Sequence, residues 1–456
     1  MAFLKRIGFA AIISGLAMAG PTASWAETLK DALRSAYNHS GLLIQNRALL
    51  RAADEDFAQA QRLLRPVVTW SLSYNYSSAS TFDPNTATAG VALEWLLFDF
   101  GRSKLNQAIV KETVLATRQR LISIEQDVLL AATNAFYNYR LSSEMAALRQ
   151  ANVRLIEQEL SAANDRFEVG EITRTDVALA QARLAAAQAA LAAAQGDLAR
   201  KKAEYINAVG HAPGQLVAPQ AGANIPANMD RAMGMARANH PTLKQIDHAI
   251  TIAKMQVEAA RLGLMPSVVL NAGVSKTDTD GADTTQSLGL TARGTIYSGG
   301  QIASQKRQAV ARLEAEHANK HYARHSIDQA VAYAYAGLDV ARASLQASNA
   351  QVDAATIAFD GVREEATLGA RTTLDVLNAE QELLDARASR IEAEINEQIA
   401  HFSILAAVGT LTADKLHLGV TTYDPEAYYN MVKSAPAGLS QQGRALDRVL
   451  KSIGQD

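Results

Sequence analysis

The sequence predicts an α+β membrane protein. Four β-strands per chain would join copies of the chain in one shared transmembrane barrel, and two long helical hairpins would extend from it. Three observations predict this: a duplicated plan, helical stretches far longer than a globular domain needs, and short segments of strict apolar–polar alternation.

The bulk numbers narrow the class first. The 456 residues carry a formal charge of −2, so the basic excess that suits a nucleic-acid partner is missing. There is no cysteine, which excludes a disulfide scaffold, a thiolate metal site, a cysteine nucleophile and a lipid-modified cysteine anchor. Residues 1–26 read as a secretory signal. Lys5 and Arg6 precede the apolar run Ile7–Gly20, and Pro21, Ser24 and Ala26 suit cleavage after Ala26. Beyond it no continuous apolar run approaches the length of a membrane helix, which leaves a soluble periplasmic protein or a β-barrel as the options.

The duplication is read from matched segments. Leu97-Phe98-Asp99-Phe100-Gly101 corresponds to Ile296-Tyr297-Ser298-Gly299-Gly300, Val169-Gly170 to Leu368-Gly369, Asp176-Val177 to Asp375-Val376, and Val209-Gly210 to Val408-Gly409, all at one offset. Pro66 and Pro266 match with one extra residue. Each copy should open with a helix, near 28–64 and 229–263, that stops at its proline.

Two alternating segments follow in each copy. In the first, Trp70, Leu72, Tyr74 and Tyr76 alternate with Thr69, Ser71, Ser73 and Asn75; Val91, Leu93, Trp95 and Leu97 then face away from Ala92 and Glu94. In the second, Val268, Leu270 and Val274 oppose Ser267, Asn271 and Gly273, while Leu288, Leu290 and Ile296 oppose Gly289, Thr291, Arg293 and Thr295. A period of two over about ten residues is a strand with one apolar face, long enough to cross a bilayer when tilted. Trp70, Tyr74, Tyr76 and Trp95 are the candidate membrane-facing aromatics. Ser77–Thr88 and Lys276–Gln286 read as polar exposed loops. Four strands cannot close a barrel, whose minimum is about eight. Two chains would supply eight and three would supply twelve; the pattern does not choose.

The helical stretches 101–168 and 300–367 lack proline and would each reach about 100 Å at ~1.5 Å per residue. Returning helices run to Val209 and Val408. Heptad spacing of Leu184, Leu191, Leu198 and Tyr205, and of Leu384, Ile391, Gln398 and Leu405, is the coiled-coil signal. The alanine-rich run Ala185–Ala194 suits close helix packing. Between helices, Gly170 and Gly369 suit the left-handed helix end. Thr173 and Thr372 suit N-caps, with Asp176 and Asp375 at capping-box spacing.

These features together resemble the TolC-like outer-membrane efflux proteins over essentially the whole mature length. The resemblance rests on the duplicated plan, on the tips Val169-Gly170-Glu171-Ile172-Thr173-Arg174-Thr175-Asp176-Val177 and Leu368-Gly369-Ala370-Arg371-Thr372-Thr373-Leu374-Asp375-Val376-Leu377-Asn378-Ala379, and on the Leu-Phe-Asp-Phe-Gly and Ile-Tyr-Ser-Gly-Gly junctions. It implies a homotrimer whose twelve strands form one barrel among outer-membrane lipids, continuous with a twelve-helix periplasmic coiled-coil tunnel. It implies a duct in tripartite efflux or type I secretion, served by a periplasmic adaptor (membrane fusion) protein and an inner-membrane pump of ABC, RND or MFS type. The corresponding organisation is a signal over 1–26, a first repeat over 27–210 with strand pair 67–98 and hairpin 101–209, and an equatorial linker over 211–228. A second repeat over 229–410, with strand pair 267–297 and hairpin 300–408, precedes a tail over 411–456 that is irregular after Gly419 and partly disordered.

The resemblance also assigns the mouth. Asp375 would form a gate ring, with Asn378 standing where a second ring aspartate can occur. Arg371 and Asp176 would tie neighbouring tips, with Ala366 in place of an aromatic partner. Val169, Gly170, Thr173, Leu368, Gly369 and Thr372 would dock the adaptor.

His317, His321 and His325 share one helix face at four-residue spacing, yet lack a third acidic ligand and read as a solvated face rather than a metal site. Tyr333 and Tyr335 read as packing or tunnel-lining residues. No nucleophile elbow, phosphate loop or paired acid is present, so neither an enzyme nor a cofactor is expected. The alternative is a periplasmic coiled-coil adaptor or scaffold without a barrel; it would normally carry a single hairpin.

Overall fold

The computed structural model describes residues 26–76, 85–217, 224–278, 283–434 and 440–452. The signal expected over 1–26 therefore lies outside the described residues, apart from Ala26. The element order is β1 (Ala26–Glu27), α1 (Leu29–His39), α2 (Gly41–Arg62), β2 (Val67–Tyr76), β3 (Asn85–Phe98), α3 (Arg102–Glu168) and α4 (Arg174–Val209). Then come β4 (Gln215–Leu216), α5 (Met229–Asn239), α6 (Pro241–Arg261), a 3-10 turn Leu262–Leu264, β5 (Ser267–Asp278), β6 (Asp283–Arg293), α7 (Gln301–Thr367), α8 (Thr373–Val408), α9 (Ala427–Val432) and α10 (Gln441–Ser452).

β2, β3, β5 and β6 form one antiparallel sheet in that order. The register aligns the alternation of all four strands. Trp70 opposes Val91, which opposes Val274; Trp95 opposes Leu270, which opposes Leu290. The apolar residues thus share one face, and the small residues Ser71, Gly90, Gly273 and Ser287 share the other. The apolar face is bare in the single chain: Trp70 is 80% exposed and Leu288 79%. β2 and β6 are open edges, with no outer strand partner among the described residues.

Several sequence expectations need correction here. β6 ends at Arg293, so Thr295 and Ile296 are not strand residues: the ladder ends with Ser267 opposite Arg293, next to Pro266, which has no N–H to extend it. A bulge between Leu96 and Phe98 shifts the register, so Leu97 leaves the apolar row. The expected loops are shorter, because Asn85–Thr88, Lys276–Asp278 and Asp283–Gln286 belong to strands. Residues 77–84 and 279–282 lie outside the described residues.

The opening helix of each copy is two helices. Ser40 ends α1 and caps α2, its hydroxyl accepting from the Leu43 amide at 3.2 Å. His240 caps α6 with Pro241 at its first position, where the missing N–H costs nothing. The C-terminal ends of α4 and α8 abut these breaks. A Cβ on Gly210 would lie 2.8 Å from His39 Cβ, and one on Gly409 3.0 Å from Pro241 Cδ.

The long helices match expectation within a residue. Asp99 positions the start of α3: its carboxylate accepts from the Gly101 amide at 3.1 Å and the Ser103 amide at 2.7 Å. α1, α2 and the tail pack on the middle of α3 and the end of α8 around Leu33, Leu50, Leu129, Phe136, Leu411 and Leu418. Past Gly419, where an irregular tail was expected, the chain carries α9 and α10, and Tyr428 and Val432 of α9 pack on Ala58. Arg34 holds the Leu418 carbonyl, and the Tyr428 hydroxyl donates to Glu55 at 2.8 Å. In the linker, β4 pairs in parallel with β1.

Candidate functional site: the paired hairpin tips

Each hairpin turns in the same way. Gly170 and Gly369 take φ of +80° and +78°, the left-handed region that glycine adopts without a Cβ clash. The Gly170 and Glu171 amides donate back to the Phe167 and Arg166 carbonyls at 3.0 and 2.9 Å. The Gly369 and Ala370 amides donate likewise to Ala366 and Glu365, at 3.1 and 2.9 Å. These bonds satisfy carbonyls that the helix end would leave open.

The returning helix starts on a complete capping box in both copies. The Thr173 amide and hydroxyl donate to Asp176 Oδ2 at 2.9 and 2.7 Å. The Thr372 amide and hydroxyl donate to Asp375 Oδ2 at 3.0 and 2.8 Å. The bond from the Thr173 hydroxyl, joined by that from its backbone N–H, holds the Asp176 carboxyl below the usual carboxylate range. The bond from the Thr372 backbone N–H, joined by that from its hydroxyl, does the same for Asp375. The capping role expected for both aspartates is therefore present.

The two tips flank a cleft of about 570 Å³ lined by Arg166, Glu171, Asp176, Ala366, Leu368 and Arg371, among others. Val169 and Leu368 project from the tips, 72% and 81% exposed. Within the chain, Arg371 does not reach Asp176; its Nε donates to Glu365 Oε2 at 2.8 Å, on its own hairpin. Asn378 is likewise engaged, accepting from Arg183 Nη2 of α4 at 3.0 Å. Ala366 packs with Phe359, Val376 and Leu383 inside the second hairpin.

One turn higher, the geometry adds residues that sequence reasoning missed. Asn152 of α3 donates from Nδ2 to Glu380 Oε1 of α8 at 2.7 Å, and both side chains are buried. The signal was available, since Glu380 falls on the helical stripe of Val376, Leu377, Leu383 and Leu384, which α8 buries. Burial, reinforced by Glu159, raises the Glu380 carboxyl to about 7 despite the bond from Asn152.

Elsewhere the expected residues stand apart. Trp70, Tyr74, Tyr76 and Trp95 lie on the sheet, with Trp95 Nε1 donating to the Leu64 carbonyl at 3.1 Å. His317, His321 and His325 are exposed on α7, and no group of three metal-ligand side chains occurs among the described residues. Tyr333 is exposed; Tyr335 is half-buried and donates to the Pro226 carbonyl at 2.7 Å. α4 is the one described helix long and apolar enough to cross a membrane, although it is mostly exposed. Gln181, Gln188 and Gln195 interrupt its alanines, so the sequence carries no unbroken apolar run there.

A sheet with one lipid-compatible face, set above two helical hairpins far longer than any globular core requires, defines an outer-membrane channel protein rather than an enzyme. The chain belongs to the outer membrane efflux protein family, which it matches over residues 32–211 and 232–410. It is 35% identical over 443 residues to the outer membrane efflux protein BepC of Brucella suis, covering 95% of this chain and 96% of that one. It is 25% identical over 430 residues to the outer membrane protein TolC of Escherichia coli, covering 89% and 87%. The fold matches the Campylobacter jejuni CmeC outer membrane channel with a TM-score of 0.76 at 14% identity, covering 90% of each chain. The protein is thus a passive outer-membrane efflux conduit, and the scaffold alternative falls away.

Proposed function

We propose that three copies of this chain assemble into the exit duct of a tripartite efflux or type I secretion system. The observation that carries the reading is the four-stranded sheet with a bare apolar face and two open edges. In lipid, each unpaired edge group would cost several kcal/mol, so β6 of one copy must pair with β2 of the next. Eight strands from two copies would leave an interior only wide enough for side chains; twelve from three leave room for a water-filled lumen lined by the small residues of the other face. The exposed faces of α4 and α7 supply further surface for neighbouring copies, since α4 buries only Val177, Ala180, Ala187, Tyr205 and Val209.

At the far end, three copies of Asp375 ring the mouth. Their mutual repulsion opposes the depressing effect of the Thr372 cap, and the ring favours cations. Asn378 reduces the charge of that ring. Arg371, released from Glu365, reaches Asp176 of a neighbouring copy as the tie. The tip residues Val169, Gly170, Thr173, Leu368, Gly369 and Thr372 receive the periplasmic adaptor, and an ABC, RND or MFS pump supplies the energy. Native mass spectrometry of the mature protein in detergent, with single-channel recording in planar bilayers, tests the reading. A trimer with discrete conductance is expected. A monomer soluble without detergent overturns it.

A further inference from the structure

We propose that Asn152 and Glu380 form a buried, proton-sensitive tie that holds the second hairpin against the first just above the mouth. The inference rests on the duct reading and places a positioning residue where neither tip motif does. Glu380 lies five residues beyond Asp375, about 7.5 Å along α8. It is 4% exposed, and its Oε2 has no partner.

A cavity of about 190 Å³ beside it separates α3, α4 and α8, with Arg149 and Asn152, Arg183 and Ala187, and Leu377 and Gln381 on the three helices. Among the described residues, charged groups surround the carboxyl from three helices. Arg149 and Glu159 come from α3, Arg183 from α4 and Arg363 from α7. Arg183 is engaged by Asn378, and Arg363 stands 3.9 Å from Glu159. The first copy has no equivalent. At the matching offset, Gln181 and Gln351 stand in place of Glu380 and Asn152, and both are exposed.

The sign follows from the burial. With the hairpins together, the carboxyl is raised to about 7; with them apart, water returns it toward 4.5. Proton binding therefore favours the closed pair. That stabilisation is complete below about pH 4.5 and is lost as pH rises through about 7. The ratio of parted to closed hairpins should rise roughly sixtyfold per chain between pH 5 and pH 7.5.

The absence of native cysteine allows spin labels at V169C and L368C in the full chain, diluted with unlabelled copies. Double electron–electron resonance then reads the separation of the two tips directly. Expected are longer distances at pH 7.5 than at pH 5 in the parent, and short distances at both in E380Q, which keeps the volume and the acceptor oxygen. N152A should lengthen distances at both pH values. A pH-independent parent, or an E380Q that retains the parent's response, overturns the tie. The readout needs no conduction, so a preparation that forms no channel would sink the duct reading and leave the tie to be decided by the distances.

Discussion

The two hairpins end alike and are buried differently. Thr173–Asp176 and Thr372–Asp375 repeat the same capping geometry within a few tenths of an ångström. Above the tips the roles cross over. In the first hairpin the long outgoing helix α3 is the buried member, through Leu129, Ala132, Phe136 and Tyr137. In the second it is the returning helix α8, through Leu377, Leu384, Ile395 and Ile404. α4 and α7 keep their outer faces exposed, including Tyr322, Tyr333, Val340 and Ile357 of α7. Local sequence therefore makes two equivalent turns, and packing inside the chain assigns each helix either an inner or an outward position.

The largest effect should come from matched core truncations. Phe136 is fully buried, whereas Tyr335 at the matching offset is half-buried. Phe136→Ala should cost about 3–5 kcal/mol, and Tyr335→Ala clearly less. Thermal unfolding of the two variants in one detergent compares them, and equal losses would break the inner–outer assignment.

Glycines separate the hairpin ends next. Gly210→Ala places a methyl on His39 at φ +96°, while Gly170→Ala meets open space at φ +80°. The first should lose about 2–3 kcal/mol and the second ~1 kcal/mol, the left-handed penalty alone. Melting temperatures of the pair report the difference.

Removing either cap, by Thr173→Ala or Thr372→Ala, should cost ~1 kcal/mol of local stability, equal at the two tips. Amide exchange over the first turns of α4 and α8 measures it. Because the caps depress Asp176 and Asp375, their contribution is present above the ordinary aspartate value of 3.8 and is lost as pH falls below it. Acid should therefore loosen the tips while it tightens Asn152–Glu380, and exchange at pH 3 against pH 6 separates the two.

The smallest effect belongs to Arg371→Ser. Its pair with Glu365 is half-exposed on both sides, a geometry that water screens and that contributes little. The variant should raise single-channel conductance only a few-fold. No change would remove Arg371 from the gate.

Much of this was legible in the residues. The strand alternation, the proline stops, the glycine turns and the Thr-x-x-Asp caps are local signals; the stops, turns and caps stand within a residue or two of their expected places, while the strand ends differ by up to about four residues. The breaks at Ser40 and His240 were less visible, because a serine or a histidine inside an apolar-periodic stretch does not by itself end a helix. Ser40 and His240 act as caps where α4 and α8 end against them. The helices past Gly419 were not visible for a related reason: Tyr428 and Val432 are too sparse to show a period, yet they pack on Ala58 of α2.

By itself, then, the sequence determined the elements whose causes lie within a few residues, and through them the sheet, the hairpins and the family. Tertiary structure alone decided which helix of each hairpin faces inward, where Arg371 and Asn378 find their partners, and that Glu380 is buried against Asn152. Asn378 and Glu380 find their partners, Arg183 and Asn152, on helices more than 100 residues away in the chain, and Arg371 turns to Glu365 of its own hairpin rather than to the other tip; periodicity fixes the face of a helix without naming the surface that face will meet.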